Sequence, residues 1–430
     1  MLQRYEKNLH YLSFRGKPVL SIGSGEHYGA VLNADFDFQP YLKDMASYGL
    51  NQCRVFSGTY RELPGEFGIA ENMLAPREEA FLCPWAKRDG RYDLDRWDDR
   101  YWKRLTQFVR EAGKKKVFVE YVLFCHWYND SLWQASPMHP KNNVQKVGPQ
   151  DKKQVYSDEP NNLWPYLEKF LRKAAAELEK FYNVYFEIIN EPYSDHDHQW
   201  FEPFHVRVAG VLAEAAPKKL VALNYANRTG VLPALPKNVS IVNFHYAIPE
   251  AIHLNRHVDC VLADDETGFA GQTAEPYRKE AWKFLLSGGA MFSHLDYGYT
   301  LSHPDGSSSV AGTKTPGYGG ADLRKQLGVL RRFLESIHPW DLALHNDILA
   351  GGAGGGSVPI LADPERGTYA LYLEKAGEYT LRLPKGSYSL RWLDTANCTE
   401  KPVERQSHPG GYFRLESPFA EAVLLLKRGR

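Results

Sequence analysis

The segment 186–193 combines residue types that can do acid–base chemistry with a setting that suits it. It is an apolar run that ends in Asn190, Glu191 and Pro192. A carboxyl group that follows an apolar strand lies in a partly desolvated cleft, and desolvation raises its pKa toward the range of a general acid. The segment therefore predicts a general acid at Glu191. A plain strand-ending turn is the alternative, because Asn, Glu and Pro are all common in turns.

Eight short apolar runs are predicted to be the strands that position such a carboxyl group. They are rich in Val, Ile, Phe and Tyr, and several are apolar almost throughout, as strands buried on both faces must be. The runs are residues 18–22, 52–56, 117–124, 184–189, 220–223, 241–245, 258–262 and 290–295. Glu191 follows the fourth of them.

Amphipathic stretches lie between these runs and predict helices. Apolar residues recur there at three- and four-residue spacing, in residues 95–112, 163–180, 204–216, 276–286 and 322–337. Strand and helix alternating eight times predict an α/β fold, the (β/α)8 TIM barrel, in which the carboxyl ends of the strands line the active site. An open doubly wound sheet is disfavoured, because the first turn, residues 23–29, lacks the GxGxxG spacing.

The sequence changes character near residue 338. His338 and Pro339 end the last helical stretch, and a glycine-rich segment follows at residues 351–356. Short alternating runs separated by turn residues then continue to the end of the chain. They predict a small all-β antiparallel sandwich. We expect a catalytic barrel over residues 1–340 and a sandwich domain over 341–430.

Residues 15–337 resemble the clan A glycoside hydrolases, and among them the cellulase-like family 5. The resemblance rests on Asn190 and Glu191 after the fourth predicted strand and on Glu266 after the seventh. It implies that Glu191 is the acid/base and Glu266 the nucleophile of a retaining glycoside hydrolase that cleaves O-glycosidic bonds, with β-linked substrates expected. The two carboxyl groups of such an enzyme are about 5–5.5 Å apart. The resemblance implies no cofactor.

The assignment of the nucleophile has two alternatives. Asp264, Asp265 and Glu266 are consecutive, and neighbours on a strand alternate between its two faces. Glu266 is favoured because it stands directly before Thr267 and Gly268, where the strand is expected to pass into a loop. Asp264 and Asp265 remain candidates.

Other residues at strand ends are expected to bind substrate. Asn190 can hydrogen-bond a sugar hydroxyl. The resemblance implies Arg54 after the second strand, His126 after the third, and His245 with Tyr246 after the sixth, although the family spaces that last pair by two residues. Asp296 and Tyr297 stand at the end of the eighth strand, where the family more often has Trp. Tyr297 or Tyr299 is the expected replacement.

Aromatic residues of the loops are further candidates. Trp127 and Trp200 are predicted to be sugar platforms, with core packing as the alternative. His196 and His198 lie on a loop beside Glu191, and their spacing fits a surface loop better than a metal site. We expect no metal.

Composition excludes several classes of partner. The 430 residues carry 52 basic and 52 acidic side chains, so neither nucleic acid nor an anionic membrane is an expected partner. Five widely spaced cysteines without a CxxC pair indicate free thiols and a reducing compartment. No apolar leader stands at the N-terminus, so a cytoplasmic protein is expected, or a secreted one if a leader was removed.

The expected substrate is an oligosaccharide or a small glycoside. A non-catalytic carbohydrate-binding barrel and a transglycosylase with the same residues are the alternatives, and an adhesive role of the sandwich is a third. The pattern leaves open the sugar and linkage, endo or exo action, and the oligomeric state.

Overall fold

The computed structural model describes residues 1–69, 74–156, 161–192, 203–352 and 358–429. Eight parallel strands form its central sheet, and together with the flanking helices they confirm the predicted barrel. The strands are β1 (Ser21–Gly25), β2 (Gln52–Phe56), β3 (Phe118–Cys125), β4 (Val184–Asn190), β5 (Val221–Asn227), β6 (Ile241–His245), β7 (Val261–Thr267) and β8 (Met291–Leu295). Every residue of β1–β4 and of β6–β8 is buried, as the apolar runs predicted.

Asn51 joins β1 to β2 at the seam of the barrel. Its backbone N–H donates to the Ile22 carbonyl at 2.9 Å, and its side-chain oxygen accepts from the Ile22 N–H at 2.8 Å. Its amide group also donates to the Leu20 carbonyl at 2.9 Å. Gly23 permits this approach, since a Cβ there would lie 2.5 Å from the Gln52 carbonyl oxygen. The Asn51 side chain thus replaces some of the backbone hydrogen bonds that would otherwise join β1 to β2.

The helices lie around the barrel, and none of those described is long and apolar enough to cross a membrane. They are α1 (Phe38–Ser47), α2 (Asp99–Lys114), α3 (Asp130–Ala135), α4 (Trp164–Leu178), α5 (Pro203–Ala215), α6 (Pro249–His253), α7 (Glu275–Leu286) and α8 (Ala321–Ile337). In α2, Asp98 caps the first turn, and Tyr101, Leu105 and Phe108 face the core at the predicted spacing.

The expectation of a helix after every strand is wrong between β5 and β6. The connection, residues 228–240, is described throughout and contains no helix. Gly230, Pro233 and Pro236 lie within it, and proline removes the N–H that a helix interior needs. The connection between β6 and β7 holds only the five-residue α6.

An antiparallel sheet of three strands, which the sequence analysis did not predict, precedes the barrel. Its strands are Leu2–Tyr5, Asn8–Phe14 and Lys17–Val19. The run predicted at residues 18–22 is therefore divided, because its first residues belong to this sheet. Phe14 packs edge-on against Phe118 at the start of β3, with ring centroids 5.4 Å apart. The sheet covers the end of the barrel opposite the carboxyl ends of the barrel strands.

The C-terminal region is the predicted sandwich. Its strands are β9 (Ala343–Leu344), β10 (Leu349–Gly352), β11 (Ile360–Asp363), β12 (Thr368–Leu373), β13 (Gly377–Leu383), β14 (Gly386–Asp394), β15 (Thr399–Glu400), β16 (Glu404–His408), β17 (Gly411–Ser417) and β18 (Ala422–Arg428). The larger sheet has the order β9-β11-β12-β18-β14-β15, with β16 also on β14, and the smaller is β10-β13-β17. The division between residues 340 and 341 stays a prediction.

The larger sheet packs against α7 of the barrel. Tyr372 stacks on Trp282, with rings 6.1 Å apart and 8° from parallel. Arg278 donates to both carboxylate oxygens of Glu421, at 2.9 and 2.7 Å, and both side chains are buried. The helix α7 directly follows β7 in the chain, and β7 contains Glu266. The sandwich therefore supports the helix that comes next after this strand.

Candidate active site

A cleft opens at the carboxyl ends of the barrel strands and contains both predicted glutamates. It encloses about 650 Å³ when the solvent in its open mouth is included. The described residues that line it are His27, Phe56, Glu62, Phe67, Cys125, Tyr128, Asn190, Glu191, Asn227, Tyr246, Glu266 and Phe269. They follow β1 to β7, so the cleft is built from nearly all the strand ends.

Glu191 and Glu266 face each other across His245. One carboxylate oxygen of each glutamate and one ring nitrogen of His245 lie within 4.8 Å of one another. His245 Nδ1 is 2.9 Å from Glu191 Oε1 and 3.5 Å from Glu266 Oε1. This separation suits the about 5–5.5 Å of a retaining pair and is short for the about 6.5–9.5 Å of an inverting pair.

Glu191 reaches the cleft through an unusual backbone conformation. It directly follows Asn190, the last residue of β4, and its φ is +46°, in the left-handed region. A non-glycine residue there costs about 1–3 kcal/mol and persists only where neighbours hold it. The Glu191 N–H donates to Asn224 Oδ1 at 2.8 Å. This turn lets two adjacent residues, Asn190 and Glu191, both line the cleft.

Tyr246 repeats this arrangement after β6. Its φ is +53°, and its N–H donates to the Glu266 carbonyl at 2.9 Å. Its hydroxyl donates to Glu266 Oε1 at 3.0 Å, while the preceding His245 contacts both glutamates. The adjacent His and Tyr, which departed from the family spacing, thus meet at the same site because the strand has ended between them.

A bulge in β7 separates the three candidate nucleophiles. Phe244 pairs with Asp264 and His245 pairs with Glu266, so Asp265 is an extra residue in the ladder. Asp265 lies buried below the cleft, with Oδ2 3.1 Å from Arg54 Nε. Asp264 is buried on the outer face of the strand, where the charge of Glu280 and burial raise its pKa. Glu266 alone of the three lines the cleft.

Arg54 links the second, fourth and seventh strands beneath the cleft. Its Nη1 donates to Glu266 Oε2 at 2.7 Å, and its Nε donates to Glu187 Oε2 at 2.9 Å. Its Nη2 donates to both Glu187 oxygens and to Asn190 Oδ1 at 2.5 Å. Arg54 is therefore the cation that the buried Glu187 requires, and it orients Glu266 and Asn190 at the same time.

The pKa of Glu191 differs from the expectation. Burial raises it, but the hydrogen bond and charge of His245 and the hydroxyl of Tyr128 outweigh burial and lower the pKa to about 2. Burial lowers the pKa of His245, whereas the charges of Glu266, Asp265 and Glu191 raise it to about 9. The expected raised pKa of Glu191 is wrong for the free protein, because the proton of this pair resides on His245.

Two groups of ligand atoms are spaced closely enough for a metal ion. One is Glu191, His245 and Glu266, and the other is Glu120, Glu187 and Asp265. Each group already has an internal cation, His245 in the first and Arg54 beside the second. Burial also raises the pKa of Glu120, and that of Glu187 to about 7, so protons neutralise part of this charge. Neither group requires an ion.

Trp127 is not at the cleft, contrary to its prediction as a platform. It is 1% exposed and packs between Trp133 and Tyr156, at ring distances of 4.5 and 5.2 Å. Trp200 lies outside the described residues. The ring of His126 packs edge-on against Tyr128, beside the cleft lining rather than in it.

The two candidates after β8 have different surroundings. Asp296 is fully buried and accepts from Arg324 Nη1 at 3.0 Å and from Ser24 Oγ at 2.9 Å. It therefore binds Arg324 rather than substrate, which corrects the prediction. Tyr297 is buried behind His27, with the two rings stacked 5.6 Å apart. The other predicted residues, Arg54, Asn190, His245 and Tyr246, gather around the two glutamates.

Tyr128 is a site residue that the sequence analysis missed. Its hydroxyl donates to Glu191 Oε2 at 2.6 Å and accepts from Asn190 Nδ2 at 2.9 Å. Phe67 and Phe269, also missed, stand at the cleft mouth with 37% and 41% of their surface exposed. Tyr128 and Phe269 lie just beyond strand ends, and aromatic residues at those positions were the available signal. Phe67 lies farther along the loop after β2 and gave no such signal.

No protein-family model and no curated protein matches the chain. Solved structures do match its fold. A glycoside hydrolase family 5 protein from Bacteroides vulgatus has a TM-score of 0.70 at 11% identity, over 99% of this chain and 93% of its own. A glycoside hydrolase has 0.69 at 12%, over 100% and 97%. An endo-β-1,4-mannanase from Thermotoga petrophila has 0.53 at 12%, over 93% and 92%. These similarities extend over barrel and sandwich together.

Proposed function

We propose that this protein is a glycoside hydrolase that cleaves β-linked O-glycosidic bonds with retention of configuration. The observation that carries the proposal is the pair Glu191 and Glu266, whose carboxylate oxygens approach within 4.8 Å in a cleft at the catalytic end of the barrel. The similarity of the fold to glycoside hydrolases of family 5 supports it.

Glu266 has the surroundings of a nucleophile. Arg54 donates to Oε2 at 2.7 Å and Tyr246 donates to Oε1 at 3.0 Å, so each carboxylate oxygen has a hydrogen-bond donor that orients it. In the first step a Glu266 oxygen forms a bond to the anomeric carbon as the glycosidic C–O bond breaks. Together, the donors fix the carboxylate in the geometry for attack.

Glu191 and His245 act together in proton transfer. They share a hydrogen bond of 2.9 Å, and the proton of the pair resides on His245 before substrate binds. Transfer across that bond gives Glu191 the proton that it delivers to the leaving oxygen. Once Glu266 is an ester its negative charge is gone, which lowers the pKa of His245. Glu191 then accepts a proton from the water that hydrolyses the ester.

The experiment is hydrolysis of aryl β-glycosides by the wild type and by Glu191→Ala and Glu266→Ala. Mannosides come first, because one structural neighbour is an endo-β-1,4-mannanase, followed by glucosides and xylosides. Glu266→Ala should abolish release of the phenol. Glu191→Ala should retain the first step with 2,4-dinitrophenyl glycosides, whose leaving group needs no protonation.

Azide distinguishes the two roles by stereochemistry. In Glu191→Ala, azide should attack the glycosyl ester and give a glycosyl azide with the configuration of the substrate. In Glu266→Ala it should replace the nucleophile and give the opposite configuration. The exposed Glu79→Ala is the control and should behave as the wild type. Full activity in Glu266→Ala would refute the proposed mechanism.

A further inference from the structure

Two polar side chains in the cleft have no part in the proposed mechanism. His27 follows β1 and Glu62 follows β2, and both line the cleft. His27 Nε2 is 3.4 Å from Glu62 Oε2, and each side chain is at least nine-tenths buried. Apart from this contact with each other, neither ring nitrogen of His27 nor Glu62 Oε2 has a hydrogen-bond partner among the described residues. Burial of such atoms is costly unless something else binds them.

Tyr297 completes this group from β8. Its ring stacks on His27, and its buried hydroxyl likewise has no hydrogen-bond partner within the described part of the chain. Burial raises the pKa of Tyr297, and the charges of Glu266 and Glu62 raise it further. We call His27, Glu62 and Tyr297 the end wall.

The described part of the loop after β2 borders the cleft beyond the end wall. Ile69, in that loop, forms a buried apolar cluster with Leu295, Tyr297 and Val310, which belong to β8 and the loop after it. The loop therefore contacts the region after β8 on the side where the end wall stands. This contact would prevent a chain of sugar rings from extending past the end wall.

On its other side, the loop after β2 contacts the loop after β3. Asn129 Nδ2 donates to Glu66 Oε2 at 3.0 Å, and Phe67 packs edge-on against Tyr128 at 5.0 Å. The loop thus makes contact from β3 round to β8. Among the described residues, these contacts border one side of the cleft, and we take that side as its blind end.

The positions of the catalytic pair decide which part of the substrate faces that blind end. Glu191 follows β4 and must contact the leaving oxygen, so the leaving group extends toward its side. The sugar attacked by Glu266 therefore points toward β8, β1 and β2, where the end wall stands. That sugar is the glycone.

We infer that the end wall binds the non-reducing terminal sugar through neighbouring hydroxyl groups, so that the enzyme acts from chain ends. The inference rests on the proposed function. A carboxylate accepts two hydroxyl donors at once, as a vicinal diol presents them, while the imidazole supplies a further partner and the phenol supports it from behind. The substrate class is accordingly a β-glycoside or oligosaccharide with a free non-reducing end.

Product analysis over time tests the direction of attack. Short manno-, gluco- and xylo-oligosaccharides, β-1,4-linked and labelled at the reducing end, are treated with the wild type and separated by chromatography. The expected products at the earliest times are a free monosaccharide and a labelled chain that is one ring shorter. Early release of longer unlabelled fragments would overturn the inference and leave the hydrolase proposal intact.

Two variants test the end wall itself. Glu62→Gln keeps the side chain's shape and should lower kcat/KM by about 10- to 100-fold, the effect of a hydrogen bond to a charged group. Tyr297→Phe should lower kcat/KM without loss of stability in urea, because the hydroxyl it removes is unpaired in the free protein. The exposed Glu79→Gln lies on the same loop and should match the wild type. Unchanged kcat/KM in both end-wall variants would refute the inference.

A binding measurement separates the two proposals if no glycoside is cleaved. That result would refute the proposed function, and calorimetry with methyl β-D-mannoside, β-D-glucoside and β-D-xyloside would then test the end wall alone. Binding by the wild type that weakens in Glu62→Gln supports sugar recognition there. Absence of binding, or equal binding by both proteins, overturns it.

Discussion

Arg54 Nη1 donates to Glu266 Oε2 at 2.7 Å, across the barrel from the end of β2 to the end of β7. The same guanidinium holds Glu187 through Nε and Nη2. One side chain therefore neutralises a buried carboxylate and orients the proposed nucleophile, so its loss should affect stability and activity together.

Arg54→Met should destabilise the fold strongly. It leaves Glu187 and Asp265 buried without this cation, and removing one partner of a buried pair costs about 3–5 kcal/mol. Urea unfolding measures the change. Arg77→Met is the control, because its pair with Asp35 is exposed and should contribute little to stability. Adding Glu187→Gln to Arg54→Met should restore part of the loss, and equal effects of the two Arg variants would contradict the argument.

His245 should make stability depend on pH. Its pKa is raised from 6.5 to about 9 in the folded protein. A raised pKa gives stability that is fully present below pH 6.5 and is lost as the pH rises through about 9. The free energy of unfolding should therefore fall more steeply over this window in the wild type than in His245→Gln. The exposed His257→Gln should follow the wild type, and parallel slopes in all three would contradict the assignment.

Tyr128→Phe should raise the pKa of Glu191. The hydroxyl donates to Glu191 Oε2 at 2.6 Å and helps to lower the pKa of Glu191 to about 2. Loss of that donor disfavours the carboxylate, so the pKa should rise, by about one unit on the usual scale of a hydrogen bond. Titration of the Glu191 side-chain carboxyl carbon by NMR measures it. Tyr156→Phe, whose hydroxyl bonds the Cys125 carbonyl instead, should leave this pKa unchanged.

Glu421→Ala should weaken the attachment of the sandwich to the barrel. It leaves the buried Arg278 without its bidentate partner, at a cost of about 3–5 kcal/mol. We expect a lower midpoint in urea, and two transitions if the sandwich and barrel separate. Glu416→Ala, on the exposed face of β17, should change the midpoint little. The double variant Arg278→Leu with Glu421→Leu tests what the ion pair contributes. If it is as stable as the wild type, the pair fixes the position of the sandwich on the barrel more than it stabilises the fold.

The sequence predicted the elements whose signals are local. Gln52–Phe56 and Ile241–His245 begin and end where their apolar runs do, because buried parallel strands need continuous apolar residues. The N-terminal sheet escaped prediction because its strands mix polar and apolar residues without a clear period. Leu2–Tyr5, for example, has one buried residue of four.

The residue types of the site could be predicted from the sequence, but their arrangement in space could not. Strand alternation places His245 and Tyr246 on opposite faces, and it does the same for Asp265 and Glu266. A positive φ brings His245 and Tyr246 to the same site, and a bulge leaves Asp265 below the cleft that Glu266 lines. Neither feature leaves a mark in the residue types. The lowered pKa of Glu191 depends on His245, which is 54 residues away in the sequence. Only the folded chain shows that partner.

At position 191, the left-handed backbone favours glycine, whereas the proposed chemistry requires a carboxylate. Glycine adopts that conformation without strain, so Glu191→Gly should fold at least as firmly as Glu191→Ala even though it loses the carboxylate. Selection for stability alone would favour glycine here, and selection for chemistry would favour glutamate. Glu191 therefore gives up backbone stability at the position where the proposed chemistry needs a carboxylate.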